Sequence, residues 1–134
     1  MAARRAPRWL TVEAVRALHA EQIATFGGAA GLLRSAGLEA ALARPRNSWR
    51  YGRTTDYPRL AALYLVGLVN AHAFVDGNRR VGLAAALVFL SVNRRPLHAP
   101  PVALYDLTMR VAAGKANEDT VAAWLRRALK SPRR

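Results

Sequence analysis

"LAALYLVGLVNAHAFVDGNRRVGLAAALVFLSV", residues 60–92, decides how this chain folds. Two apolar runs, 60–69 and 81–92, flank the polar segment 72–80. Each run is hydrophobic nearly all round, as a helix buried on every side must be. Asp56 offers a cap and Pro58 suits a first turn, so the first of these helices should begin there. The second should end near Asn93. The pair forms a spine, and residues 72–80 connect its halves.

Outward from the spine the pattern stays helical. Thr11 can cap a helix in which Val12, Val15, Leu18, His19, Gln22 and Ile23 recur at helical spacing, with Glu13 in its first turn. "FGGAAG" at 26–31 ends it, because consecutive glycines penalise helix. A short helix is expected over 35–43, stopping before Pro45. "RPRNSWRYGRTTDYP" at 44–58 then reads as a polar loop, whose stretch 46–57 precedes the spine and could border an active site. Further helices are expected over 103–113 and 118–130. In the last, Asn117 caps, Glu118 and Asp119 suit the positive end, and Arg126, Arg127 and Lys130 the negative end. Period-two strands are absent. The expectation is an all-α fold: a small single-domain helical bundle over residues 9–130, with two central buried helices and basic tails at 1–8 and 131–134.

The 134 residues suit one modest core, and 52% of them are hydrophobic. With no cysteine, disulfides, thiolate nucleophiles and thiolate zinc sites are excluded. No apolar run approaches the roughly 18 residues of a membrane span. The start, MAARRAPRWL, lacks the apolar segment of a signal peptide, so a cytoplasmic protein is expected. The net charge is +13, and of 21 basic residues 19 are arginine. That balance attracts polyanions or an acidic protein; a GC-rich gene explains it equally well. The arginines are spread along the chain rather than gathered in a stripe, which argues against direct nucleic-acid binding.

The connection "HAFVDGNRR", residues 72–80, is too rich in chemistry for a plain turn. His72 should close the first spine helix, and Gly77 and Asn78 should open the second. The free N–H groups of a helix start suit an anion, and Gly77 lets a ligand approach the backbone. Arg79 and Arg80 carry the wrong sign for that end of the dipole, a conflict that a bound phosphate resolves. Asp76 is the one nearby carboxylate, and Mg²⁺ accepts one or two carboxylates plus phosphate oxygens. Asn78 can hold a phosphate oxygen or orient the loop. His72, of a type that titrates near neutrality, can take a proton from a hydroxyl. Phe74 reads as the core anchor of the loop. Metal, positive clamp and base are the parts of phosphoryl-type transfer. His19 is expected to be structural or exposed, His98 to lie in a loop, and Trp9, Trp49 and Trp124 to be packing groups.

At these residues the sequence resembles the Fic/Doc (Fido) family, whose motif is approximately H-x-F-x-[DE]-[GA]-N-x-R. It looks like the death-on-curing (Doc) branch, the toxins of type II toxin–antitoxin modules. "FGGAAGLLRSAGLEAALARP" resembles that branch's GG-x-x-G segment and following helix. "ALVFLSVNRRPL" and "DLTMRVAAGKANEDTVAAWLRR" resemble its C-terminal half. The resemblance implies a helical bundle in which His72 is the general base and Asp76 holds Mg²⁺. Asn78 and Arg80 then contact the phosphates of ATP, and the second spine helix offers its N-terminus as an anion hole.

The position after Asn78 divides the family. AMP-transferring Fic enzymes usually carry glycine there and a second arginine three residues past the motif arginine. The Doc branch usually carries lysine and transfers the γ-phosphate to a threonine of a translation elongation factor. Here Arg79 and Leu83 hold those two positions. Arginine keeps the lysine's charge and is larger and planar. Phosphate transfer is therefore expected over AMP transfer; an inactive basic binding module is the remaining alternative. The inhibitory pattern [ST]-x-x-x-E-[GN] of many Fic enzymes has its nearest candidate in residues 35–40, which end in Ala40 and so do not fit. Restraint is expected instead from an antitoxin whose disordered tail folds into a groove on the toxin.

Overall fold

Thr11 starts the first helix as its spacing predicts. The hydroxyl accepts from the Ala14 N–H at 3.0 Å, and α1 (Val12–Phe26) turns Val15 and His19 inward. The computed structural model describes residues 5–52 and 56–130 and contains, among them, five more helices. These are α2 (Ser35–Arg50), α3 (Tyr57–Ala71), α4 (Asn78–Val92), α5 (Pro101–Ala112) and α6 (Glu118–Lys130). The expected tail residues 1–4 and 131–134 and the loop residues 53–55 lie outside the described residues. No helix among those described is long and apolar enough to cross a membrane.

The spine is α3 and α4. Leu60, Ala61, Leu65, Leu68 and Val69 of α3 are buried, as are Val81, Ala85, Ala86, Phe89 and Leu90 of α4. Around them, α2, α5 and α6 pack on α3, and α1 packs chiefly on α4. Gly82 sets the spacing of the spine. A Cβ there would lie 2.9 Å from Val69 Cγ2 and 3.2 Å from the Leu65 carbonyl oxygen. The two helices therefore approach with only a hydrogen between them at this point.

The segment before α1 is anchored at the far end of the spine. Asn93 accepts from the Arg8 N–H at 2.7 Å and donates to the Arg8 carbonyl at 3.0 Å. Leu10 N–H donates to the Tyr64 hydroxyl at 3.1 Å. Pro7 is buried. The expected basic tail is thus docked at its last two residues. Trp9 stacks on Phe89 at 5.9 Å and meets Trp49 edge-on at 6.1 Å, so these tryptophans are packing groups. The ion pairs Arg44–Glu118, Arg59–Asp119 and Arg126–Asp56 tie α6 to α2 and to the start of α3. Asn117 caps α6 by accepting from Thr120 N–H at 2.9 Å.

One helix departs from expectation. α2 does not stop before Pro45; it runs through it to Arg50, absorbing half of the expected polar loop. A proline inside a helix leaves the carbonyl four residues earlier without its partner. That carbonyl belongs to Ala41, and it faces Gly67 of α3, where even a Cβ would sit 3.8 Å away. Pro45 itself is buried in the core. Burial of the ring and the close approach to α3 offset the lost hydrogen bond, which no local rule can foresee.

The spacing at Gly82 is testable. Alanine is a better helix former by about 1 kcal/mol, yet overpacking against a backbone carbonyl costs roughly 1–3 kcal/mol. Gly82→Ala should therefore melt several degrees below the wild type. An unchanged or raised melting temperature would show that the spine can separate freely.

Candidate active site

Residues 72–80 lie where the sequence puts them, at the junction of α3 and α4, but the two ends are held in unusual ways. His72 caps α3 in the left-handed region, with φ 46° and ψ 45°. Glycine is the usual occupant of such a helix end, and an L-residue there is strained. Arg34 compensates: its guanidinium donates to the His72 carbonyl at 2.7 Å. At the other end Gly77 caps α4, also left-handed, with φ 77°.

Between these caps the loop is gripped by the segment that ends α1. The N–H groups of Leu33 and Arg34 donate to the Ala73 carbonyl at 2.7 and 3.0 Å. Val75 N–H donates to the Gly31 carbonyl at 3.0 Å, and Leu32 pairs with Phe74 in an antiparallel bridge. The glycine-rich stretch does more than break a helix; it forms half of a two-stranded clasp around the loop. Gly28, at φ 114°, leaves room for the carboxylate, since a Cβ there would stand 2.6 Å from Asp76 Oδ2.

Asp76 is exposed and its carboxylate is already oriented. Oδ1 accepts from Gly77 N–H at 2.8 Å and Oδ2 from Ala29 N–H at 3.3 Å. The Gly77 bond chiefly holds its pKa below the ordinary value, with Ala29 next; partial desolvation opposes them, and Arg80 and then Arg79 add smaller lowering effects. The Asn78 amide orients the loop: Oδ1 accepts from Phe74 N–H and Nδ2 donates to the Phe74 carbonyl, both at 3.0 Å. Phe74 is buried, as an anchor must be. Arg80 is half-buried and donates to the Gln22 carbonyl at 3.3 Å; Arg79 is exposed.

These groups converge on one cavity of about 520 Å³. His72, Asp76, Gly77, Asn78, Arg79 and Arg80 form its polar side. Leu83 and Val69 of the spine and Tyr105 and Met109 of α5 form its apolar side. Neither residues 46–52 nor 56–57 line it, so the expected border from 46–57 is not found among the described residues. Tyr51 instead lines a separate hollow with Arg44 and Asn47. His98 is an exposed loop residue as expected. Among the described residues no group of three or more His, Cys, Asp or Glu could hold a metal ion alone. A single ionised carboxylate facing a cationic pocket suits Mg²⁺ shared with ligand oxygens rather than caged by protein.

Comparison with known proteins agrees. Residues 9–90, more than half of the chain, match the family described as the Fic/DOC family. The chain belongs to the Fic/DOC family. Among its relatives, "Protein kinase doc" of Escherichia phage P1 is 35% identical over 120 residues, which cover 90% of this chain and 94% of that protein. "Toxin Doc" of Mycolicibacterium smegmatis (strain ATCC 700084 / mc(2)155) is 40% identical over 105 residues, covering 75% of this chain and 79% of that protein.

Sequence reasoning missed two residues that shape this Fic/DOC site, His19 and Arg34. His19, expected to be structural or exposed, is buried at 4% exposure and donates through Nε2 to the Asp76 carbonyl at 2.7 Å. Its spacing of four from Val15 placed it on the inner face of α1; what it meets there lies 57 residues away in sequence.

Two outcomes follow from this geometry. Glycine relieves the left-handed strain at position 72 and alanine does not. His72→Gly should therefore be more stable than His72→Ala by about 1 kcal/mol in denaturant unfolding; equal stabilities would show that the backbone there is unstrained. Asp76, whose ionised form the fold favours, stabilises the folded state above the ordinary carboxylate pKa and ceases to do so as pH falls through its lowered folded value. A carbon-detected NMR titration should give a midpoint for Asp76 below 3.8, and Gly28→Ala, which displaces the Ala29 contact, should raise it.

Proposed function

We propose that this protein is a Doc-type toxin: a kinase-like enzyme that moves the γ-phosphate of ATP to a serine or threonine hydroxyl of a protein target. The observation that carries this reading is the convergence of His72, Asp76, Arg79 and Arg80 with the start of α4 on one cavity. The 35% identity to a protein named a kinase, across 90% of the chain, supports it.

His72 accepts the proton of the incoming hydroxyl, whose oxygen then bonds the γ-phosphorus. The bond from that phosphorus to the β–γ bridging oxygen breaks, and ADP leaves with the electron pair. Arg79, Arg80 and the N–H groups of the first turn of α4 hold the phosphate oxygens, where positive charge is worth most in the transition state. Asp76 is the residue to hold Mg²⁺, which when bound neutralises charge on the phosphates. Gly77 allows the close approach. Asn78, its amide occupied by Phe74, keeps the loop in shape.

Phosphate is favoured over AMP for two reasons. Leu83 brings an apolar side chain to the cavity where AMP-transferring relatives place a second arginine. Arg79 fills the position where they carry glycine. The target is a translation elongation factor, by likeness to the Doc branch, and modification arrests growth. The restraining partner is an antitoxin with a folding tail, which the net charge of +13 would attract if that tail is acidic.

Incubation with γ-labelled ATP, Mg²⁺ and a bacterial lysate should label one protein, and α-labelled ATP should not. His72→Ala should slow transfer by about 10²–10⁴-fold, the usual worth of a general base. Transfer of the α-label alone would replace this reading with AMP transfer. Growth arrest that survives His72→Ala would replace it with a binding role.

A further inference from the structure

We propose that His19 is a positioning residue of the reaction, holding Asp76 and the start of α4 from behind without touching the cavity. The proposal rests on the functional reading above and extends it to a residue 53 positions before the motif histidine in sequence.

Three contacts carry it. The carbonyl of Asp76 can only accept, so the bond of 2.7 Å puts a proton on His19 Nε2. The imidazole lies flat on the Phe74 ring, with centroids 3.9 Å apart and planes at 12°. Gly77 lies against the same group: a Cβ there would stand 3.5 Å from His19 Nε2 and 3.2 Å from Ile23 Cδ1. One buried side chain thus touches the anchor, the carboxylate-bearing residue and the cap of α4. It does not line the cavity, so it acts through the loop.

The consequence for Asp76 is specific. Its carboxylate is oriented by Gly77 N–H, and that N–H is part of the peptide unit whose carbonyl His19 holds. Rotation of this one peptide plane moves both groups together. Gln22, three residues on from His19, adds its carbonyl to Arg80. The inner face of α1 therefore fixes the carboxylate and the arginine from one rigid element. Residues that orient a metal ligand commonly matter by 10–100-fold in metal affinity or activity.

The test separates the N–H from the ring. His19→Phe keeps an aromatic ring over Phe74 and loses the donor; His19→Gln keeps an N–H near the position of Nε2 and loses the ring. Full-length variants are assayed for γ-phosphate transfer against Mg²⁺ concentration, and the Gly77 amide signal, which reports the peptide plane held by His19, is followed by NMR without metal. His19→Phe should need about ten-fold more Mg²⁺ for half-maximal rate and show a displaced Gly77 amide signal, with its helical circular dichroism retained. His19→Gln should stay within about three-fold of wild type. If His19→Phe does not fold, Gln against Met decides, since these side chains match in length and differ in the donor. An active wild type with an unchanged Mg²⁺ requirement in the donor-free variant overturns the proposal. If the wild type transfers no phosphate, the functional reading fails instead, and the Gly77 amide signal alone decides whether His19 fixes the 76–77 peptide: displaced in the donor-free variant it supports the proposal, unmoved it overturns it.

Discussion

The contact between α3 and α4 at Gly82 governs everything else in the structure. With a Leu65 carbonyl and a Val69 methyl pressed against a residue that has no side chain, the two helices have little freedom to slide or part. Their ends are consequently fixed relative to each other, and the short connection between them must adopt a strained path. The backbone is left-handed at both His72 and Gly77, and of the two only His72, which carries a side chain, is strained. Strain of this kind persists only where the surroundings over-determine it. Here the surroundings are the clasp from residues 31–34, the Arg34 guanidinium and the His19 imidazole.

The electrostatics follow from the same geometry. The closing end of one helix and the opening end of the next meet at the cavity, so exposed carbonyls and exposed N–H groups lie within one loop. Arg79 and Arg80 sit at the positive end of α4, where the dipole disfavours them. Asp76 offsets part of that charge while staying ionised, because backbone donors stabilise its negative form. A site assembled this way is cationic without being a simple cluster of arginines, and it presents one carboxylate to the cavity.

The spine, the motif and most helix boundaries could be read from the sequence because each rests on local rules. Thr11 and Asn117 cap as their residue types predict, and the continuous apolar runs are buried as their composition demands. What escaped prediction depends on partners distant in sequence. Pro45 continues a helix in which its ring is buried, a placement set by the rest of the fold. The glycines after α1 serve as a clasp because the loop at 73–75 is there to be gripped. Arg34, just before α2, and His19 in α1 look unremarkable in sequence, and only the folded chain shows each holding a carbonyl of the motif. The motif supplies the polar lining of the cavity; the groups that hold it are written elsewhere.

Asn93 and Gly77 stand at opposite ends of α4, about 24 Å apart at the usual helical rise. The chain enters the fold at Asn93, where the Arg8 backbone is clamped, and the cavity opens at Gly77. The bundle therefore has two poles, one that receives the polypeptide and one that works. Pro7 and Arg8 thus sit at the receiving pole, a helix length away from the cap of α4 at the cavity.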